Sequence, residues 1–179
     1  MIKFNSHTNL VGRSTLSDPW KNHVLDCLQV LPLIQDKKNS ILDMGTGAGL
    51  PGILLKICDC NHVTLIDSNG KKINFIESVN LSLNLDLNII KSRLENVGGM
   101  RFDVITSRAL SSLDKLFTYS QKFIKKNTVL IFLKGKTVNE EIDFAEKKWK
   151  FNYSKHQSIS DKRGVVLNIS NLKKKWQKL

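Results

Sequence analysis

The chain has 179 residues, 41% of them hydrophobic, and carries Lys+Arg 28 against Asp+Glu 16, a formal net charge of +12. That length suits one domain with a full core, no window approaches the ~20 apolar residues of a membrane span, and Met1–His7 lacks the apolar centre of an export signal. The cationic excess would concentrate polyanions near the surface, but basicity alone does not select nucleic acid. Cys27, Cys58 and Cys60 form no paired framework, and Cys58-Asp59-Cys60 is too tight for a zinc knuckle. Reduced thiols, no metal and a cytoplasmic location are therefore expected.

Residues 18–34 read as helical, with Asp18 and Pro19 as start signals. Ser40-Ile41-Leu42-Asp43 is a short buried strand, followed by Gly45, Gly47 and Gly49 and then a helix over Leu50–Cys58, with Pro51 in its first turn. His62–Asp67 is a second strand. Ile73, Ile76, Val79 and Leu83 then recur at helical spacing over Gly70–Leu83. Leu87–Ile90, Phe102–Thr106 and Thr128–Leu133 are further short apolar runs, with helices expected over Leu113–Ile124 and Val138–Lys148. Such alternation predicts an α/β, doubly wound, mostly parallel sheet. Trp149–Ile159 and Val165–Ile169, across Asp161-Lys162-Arg163-Gly164, read as a C-terminal antiparallel hairpin. The Lys173–Lys178 stretch reads as a frayed basic tail or a polyanion contact.

The glycine loop is the most informative segment. Glycines at a strand-to-helix turn let the backbone bend tightly and approach a ligand, and the helix start presents free N–H groups. A nicotinamide fingerprint, G-x-G-x-x-G, fails because Leu50 stands at the third glycine, and a Walker loop fails because Gly52-Ile53-Leu54 replaces G-K-S/T. What remains is an acid, Asp43, ahead of the alternating glycines. A carboxylate there suits a cationic, amino-acid-bearing ligand better than a pyrophosphate. Asp67 ends the second strand at the spacing where an acid accepts from ribose hydroxyls; capping the next helix is its other reading.

Asp43-Met44-Gly45-Thr46-Gly47-Ala48-Gly49-Leu50-Pro51-Gly52 resembles the first motif of S-adenosylmethionine-dependent methyltransferases. It is similar in particular to the D-x-G-S/T-G-x-G-F/L-P-G of the small-subunit ribosomal RNA guanine-N7 methyltransferases, the family also called glucose-inhibited division protein B. Phe4–Leu10 is similar to that family's W-N-x-x-x-N-L and Asn22–Cys27 to its R-H-x-x-D-S. Ser92-Arg93, Ser107-Arg108-Ala109 and Leu133-Lys134-Gly135 match its two S-R segments and its L-K-G. Phe4, Asn22 and Cys27 depart from the pattern, which has Trp, Arg and Ser there.

The resemblance implies a Rossmann-like class I methyltransferase fold in a single domain over 1–179, with an N-terminal helical cap (1–36), a catalytic core (37–172) and a basic tail (173–179). It implies S-adenosyl-L-methionine as cofactor and N7 of a guanine in 16S ribosomal RNA, or in a small-subunit ribonucleoprotein, as target, with the enzyme a monomer. Cofactor contacts carried over are Gly45, Leu50, Leu94, Glu95 and Arg108, beside Asp43, Gly47 and Asp67 read from the loop and strand ends; plain core is the other reading of Leu94, and a surface charge that of Glu95. Arg108 is also the candidate catalytic residue, by binding the methionine carboxylate or orienting the guanine; a structural ion pair is its other reading. Lys134 and His23 are the candidate RNA contacts, although His23 and Asp26, three apart on a helix, also suit a structural pair. The fourth strand's Thr106-Ser107-Arg108-Ala109 is not the Asp/Asn/Ser-Pro-Pro-aromatic segment that resembles an exocyclic-amine methylase site, and it holds no cysteine nucleophile. The competing readings are methylation of a small molecule or protein, and a non-catalytic RNA-binding or assembly factor.

Overall fold

Five apolar runs, each ending near a polar residue, line up as parallel strands in the computed structural model, which describes residues 1–175. They are β1 (Ser40–Met44), β2 (His62–Asp67), β3 (Asn88–Lys91), β4 (Phe102–Arg108) and β5 (Ile124–Lys134). A hairpin of β6 (Trp149–Gln157) and β7 (Val165–Lys174) completes one seven-stranded sheet in the order β3-β2-β1-β4-β5-β7-β6. β7 is antiparallel to both β5 and β6. The order reverses between β1 and β4, so their carboxyl ends open the crevice where doubly wound sheets bind ligands. Asp43 there stands level with Leu65 of β2 and Thr106 of β4.

Strand alternation divides the core between the two faces. Ile41, Leu65, Val104 and Ile131 pack with Ile53 and Leu55 of α3 (Gly52–Ile57) and Ile73 and Ile76 of α4 (Gly70–Leu83), together with Cys27 and Val30 of the N-terminal segment. Leu42, Ile66, Ile105 and Phe132 pack with Leu116 and Phe117 of α5 (Leu113–Ser120) and Ile142 of α6 (Val138–Glu146). Phe117 meets Trp149 and Phe151 edge-on at 5.7 and 4.8 Å, which ties the hairpin to this layer.

The N-terminal cap is helical in pieces. It comprises α1 (Ile2–Thr8), a 3-10 turn over Arg13–Ser17, a π-helical stretch over Trp20–Leu25 continuing into α2 (Asp26–Leu28), and a 3-10 turn over Leu31–Leu33. Several boundaries differ from expectation. The helix after the glycine loop starts at Gly52, because the loop continues through Pro51. The helix after β4 ends at Ser120 in a 3-10 turn, and β5 begins at Ile124. The expected basic tail is partly strand. Lys173 and Lys174 pair with Lys150 and Trp149, because hydrogen bonding continues past a bulge at Asn171 where the apolar alternation has already stopped. The rest of that tail, 176–179, lies outside the described residues.

Candidate active site

Asp43 organises the glycine loop from beneath. It is fully buried; Oδ2 accepts from the Thr46 hydroxyl and from Gly52 N at 3.0 Å, and Oδ1 accepts from the Thr106 hydroxyl at 3.1 Å. Burial pushes its carboxyl up to about 6, opposed by those three hydrogen bonds. A Cβ on Gly52 would stand 2.1 Å from Leu65 Cδ2 and 3.1 Å from Asp43 Oδ2, so the Pro-Gly step is where the helix start presses on the sheet. Both Asp43 oxygens are taken up by the loop and β4.

Asp67 holds the loop from the other side. Oδ2 accepts from Gly47 N at 2.9 Å and Oδ1 from Asn69 N at 2.8 Å. Capping of α4 falls to Asn69, whose side chain accepts from Lys71 N and Lys72 N. Gly45, at φ 62°, lies between two cavities. One, of about 120 Å³, is lined by Gly45, Asp67, Leu94, Glu95, Leu110 and Tyr119 among others. The second, of about 340 Å³, lies between the loop and the N-terminal segment and is lined by Leu10, Gly45, Gly47, Leu50, Lys72 and Arg108 among others. Leu110 separates them: a Cβ on Gly45 would meet its methyls at 2.4 and 2.8 Å.

Arg108 ends β4 and faces the N-terminal segment. Nη1 donates to Asp26 Oδ2 at 3.1 Å, Cys27 Sγ at 3.0 Å and the Asn22 carbonyl at 3.4 Å, and Nη2 lies 2.7 Å from His23 Nδ1. Since guanidinium only donates, Nδ1 must accept, which leaves the His23 proton on Nε2 to donate to Thr15 Oγ1 at 2.8 Å; that hydroxyl donates onward to the Gly12 carbonyl. Burial, then the Arg108 charge, hold the imidazole below its usual range. His23 is 1% exposed with both nitrogens engaged, at the edge of the second cavity. His23 and Asp26 do share a face, and Arg108 bridges them.

Lys134 is likewise held by partners within the protein. Its side chain is 8% exposed, pairs with Glu141 Oε2 at 2.6 Å and donates to the Ser111 carbonyl at 2.9 Å, pinning the segment after β4. Beyond Arg108 and Ala109 a third cavity, of about 310 Å³, reaches Gln29, Lys134 and the 158–164 loop. Across it Gln29 Nε2 donates to Ser158 Oγ at 3.1 Å, and the Ser160 hydroxyl donates to Asp26. Ala109, between the second and third cavities, has φ 52°, a conformation that non-glycine residues adopt at a cost. Among the described residues no group of three or more His, Cys, Asp or Glu side chains is arranged to hold a metal ion, and no helix is long and apolar enough to cross a membrane.

The family model described as rRNA small subunit methyltransferase G matches residues 1–170. The chain belongs to that family. It is 36% identical to the Ribosomal RNA small subunit methyltransferase G of Rickettsia prowazekii, over 96% of this chain and 89% of the relative, and 32% identical to that of Paramagnetospirillum magneticum, over 94% and 82%. Among solved structures, the ribosomal protein L11 methylase of Lactobacillus delbrueckii subsp. bulgaricus superposes with a TM-score of 0.68 at 20% identity, covering 82% of this chain and 76% of that one. At that identity the likeness speaks for the Rossmann-like fold alone.

Of the expected cofactor positions, the fold brings Gly45, Asp67, Leu94 and Glu95 to the first cavity, and Gly45, Gly47, Leu50 and Arg108 to the second. Lys72, Leu110 and Tyr119 are among the lining residues that the sequence motifs did not single out. Lys72 follows Asp67 by five residues, and its Nζ would lie 3.8 Å from a Cβ on Gly47; an acid-ended strand running into a lysine-bearing helix start was the available signal. Leu110 and Tyr119 gave none, because each reaches the cleft only through the chain's path after β4.

Proposed function

We propose that this chain transfers a methyl group from S-adenosyl-L-methionine to N7 of a guanine in 16S ribosomal RNA, acting in the cytoplasm as a monomer. Family membership over residues 1–170 is the observation that carries this reading. The cleft is compatible with the cofactor. Asp67 offers a carboxylate to paired hydroxyls on one side of Gly45, with Leu94 and Glu95 to flank adenine. Lys72 and the loop bring positive charge to the other side, where a methionine carboxylate would lie. When bound, the cofactor supplies a methyl group on a positive sulfonium.

Guanine N7 has an in-plane lone pair free at neutral pH, so no proton leaves the attacking atom and the chain needs no general base. Its own ionisable groups agree: Asp43 is sealed beneath the loop and His23 is fixed between Arg108 and Thr15. The protein's contribution is then positioning. We assign Arg108, on the rim shared by the second and third cavities, to orienting the guanine through donors not held by the N-terminal segment. The regular A-form major groove is too narrow for side chains to read, so the target guanine belongs in a loop or splayed strand.

Two measurements test this. Mapping N7-methylguanosine in ribosomal RNA from cells with and without the protein should show one site lost. Calorimetry with S-adenosylhomocysteine should show binding to the native chain and none to Gly45→Arg. No binding to the native chain would remove the enzymatic reading and leave an RNA-binding factor.

A further inference from the structure

We propose that the end of the sheet opposite the Gly45 cleft is a second docking surface, for the phosphate backbone of RNA, centred on Lys126, Lys150 and Lys173. The proposal rests on the ribosomal RNA reading of the substrate. Charge is unevenly spread along the chain: residues 147–175 hold nine Lys or Arg and one acid, Asp161, itself paired with Arg163. Topology gathers those at the two outer ends of the hairpin, Lys148, Lys150 and Lys173–Lys175, away from Lys155, Lys162 and Arg163. Because β7 runs antiparallel to β5, its last residues reach the first residues of β5, and Lys125, Lys126 and Lys173 line one cavity of about 450 Å³. The hairpin register sets Lys150 opposite Lys173 and Trp149 opposite Lys174, and Lys175 N donates to the Lys148 carbonyl at 2.8 Å.

Neutralisation there is incomplete. Asp103 takes Lys125 at 2.6 Å and Asp114 takes Lys148 at 3.1 Å, but among the described residues Lys126, Lys150 and Lys173 form no ion pair. All three are exposed. Like charges directly opposite on antiparallel strands destabilise the sheet, so Lys150 and Lys173 work against the fold unless an anion lies over them. A run of exposed ammonium groups suits phosphates, which position RNA without reading its bases. β5 continues eight residues from Lys126 to Lys134, which at about 3.3 Å each separates this surface from the carboxyl ends of the strands by ~25 Å. One enzyme would then hold two segments of folded RNA, with only one of them at the cleft.

The test is the full chain carrying Lys126→Gln, Lys150→Gln and Lys173→Gln. Its affinity for small-subunit ribosomal RNA should fall about tenfold or more near 0.15 M salt. The slope of log affinity against log salt should shrink by about 2–3, at roughly 0.7–0.9 for each phosphate that is no longer neutralised. S-adenosylhomocysteine affinity should be unchanged, KM for RNA should rise with kcat held, and the melting temperature should be equal or higher, since a like-charge pair has gone. Unchanged RNA affinity and salt slope would overturn the proposal. Self-association of the variant with unchanged RNA binding would overturn it too, because the lysines would then serve only to keep the β6 edge from pairing with other chains. The comparison reads binding directly, so it stands apart from the methylation assay: a native chain that binds ribosomal RNA but never methylates it would fail the proposed function, not this surface.

Discussion

Asp43→Asn should make the protein more stable relative to the native chain as pH rises, and the sign follows from burial. The native carboxyl sits at about 6 when folded against a reference of 3.8, because desolvation outweighs its hydrogen bonds. Between those values the folded chain holds a proton that the unfolded chain has released, so native stability falls with rising pH across that window and is level above it. A displacement of about two pH units corresponds to roughly 3 kcal/mol. Asparagine carries no titration, and its carbonyl can still accept from Gly52 N while Thr106, a hydroxyl, turns to accept from the amide. Urea melts of both proteins at pH 4, 5, 6 and 7.5 would give the difference directly, with every other titrating group cancelling. Asp43→Ala should lie about 2–4 kcal/mol below the Asn form at all these pH values, by stranding the Thr46, Gly52 and Thr106 donors. A stability difference between native and Asn forms that stays flat from pH 4 to 7.5 would refute the argument.

Gly52→Ala should cost about 1–3 kcal/mol by overpacking against Leu65, seen as a lower melting temperature. Lys134→Met should lose about 2–4 kcal/mol in chemical denaturation by leaving Glu141 without its ammonium partner, yet leave the salt dependence of RNA binding unchanged; a smaller salt slope would restore Lys134 as a phosphate contact. Arg108→Gln should free the N-terminal segment, read as faster proteolysis within residues 1–36, and the anchoring role fails if protection there is unaltered. His23, held below its ordinary 6.5, stabilises the fold fully above that value and loses the contribution as pH falls below it, so His23→Gln should flatten the acid side of the stability profile.

The strands around the cleft were legible because each parallel strand is a short apolar run with its own turn signal, and Asp43 and Asp67 mark two strand ends. Local pattern told less about what those side chains touch. Asp43 reads as a ligand contact until Thr106, 63 residues away, is seen to close over it. Lys134 looks like free charge on a basic chain and His23 has only Asp26 as a local partner, whereas Glu141 and Arg108, delivered by the fold, are what hold them. Lys173 and Lys174 read as tail because apolar alternation ends at Ile169, whereas pairing with β6 needs backbone hydrogen bonds alone. Leu110 illustrates the same limit: that it lies on Gly45 depends on the left-handed turn at Ala109, which no residue type announces.

The tie between Asp26 and Ser160 spans 134 residues. In a cell the chain emerges from its N-terminus, so the first helical pieces exist long before the loop that fastens them. At about 5–20 residues per second that wait is roughly 7–27 s, during which β1 to β5 can already assemble. The tie to the 158–164 loop therefore forms after the anchors at Arg108, and hydrogen exchange should find residues 1–36 opening more readily than the sheet they cover.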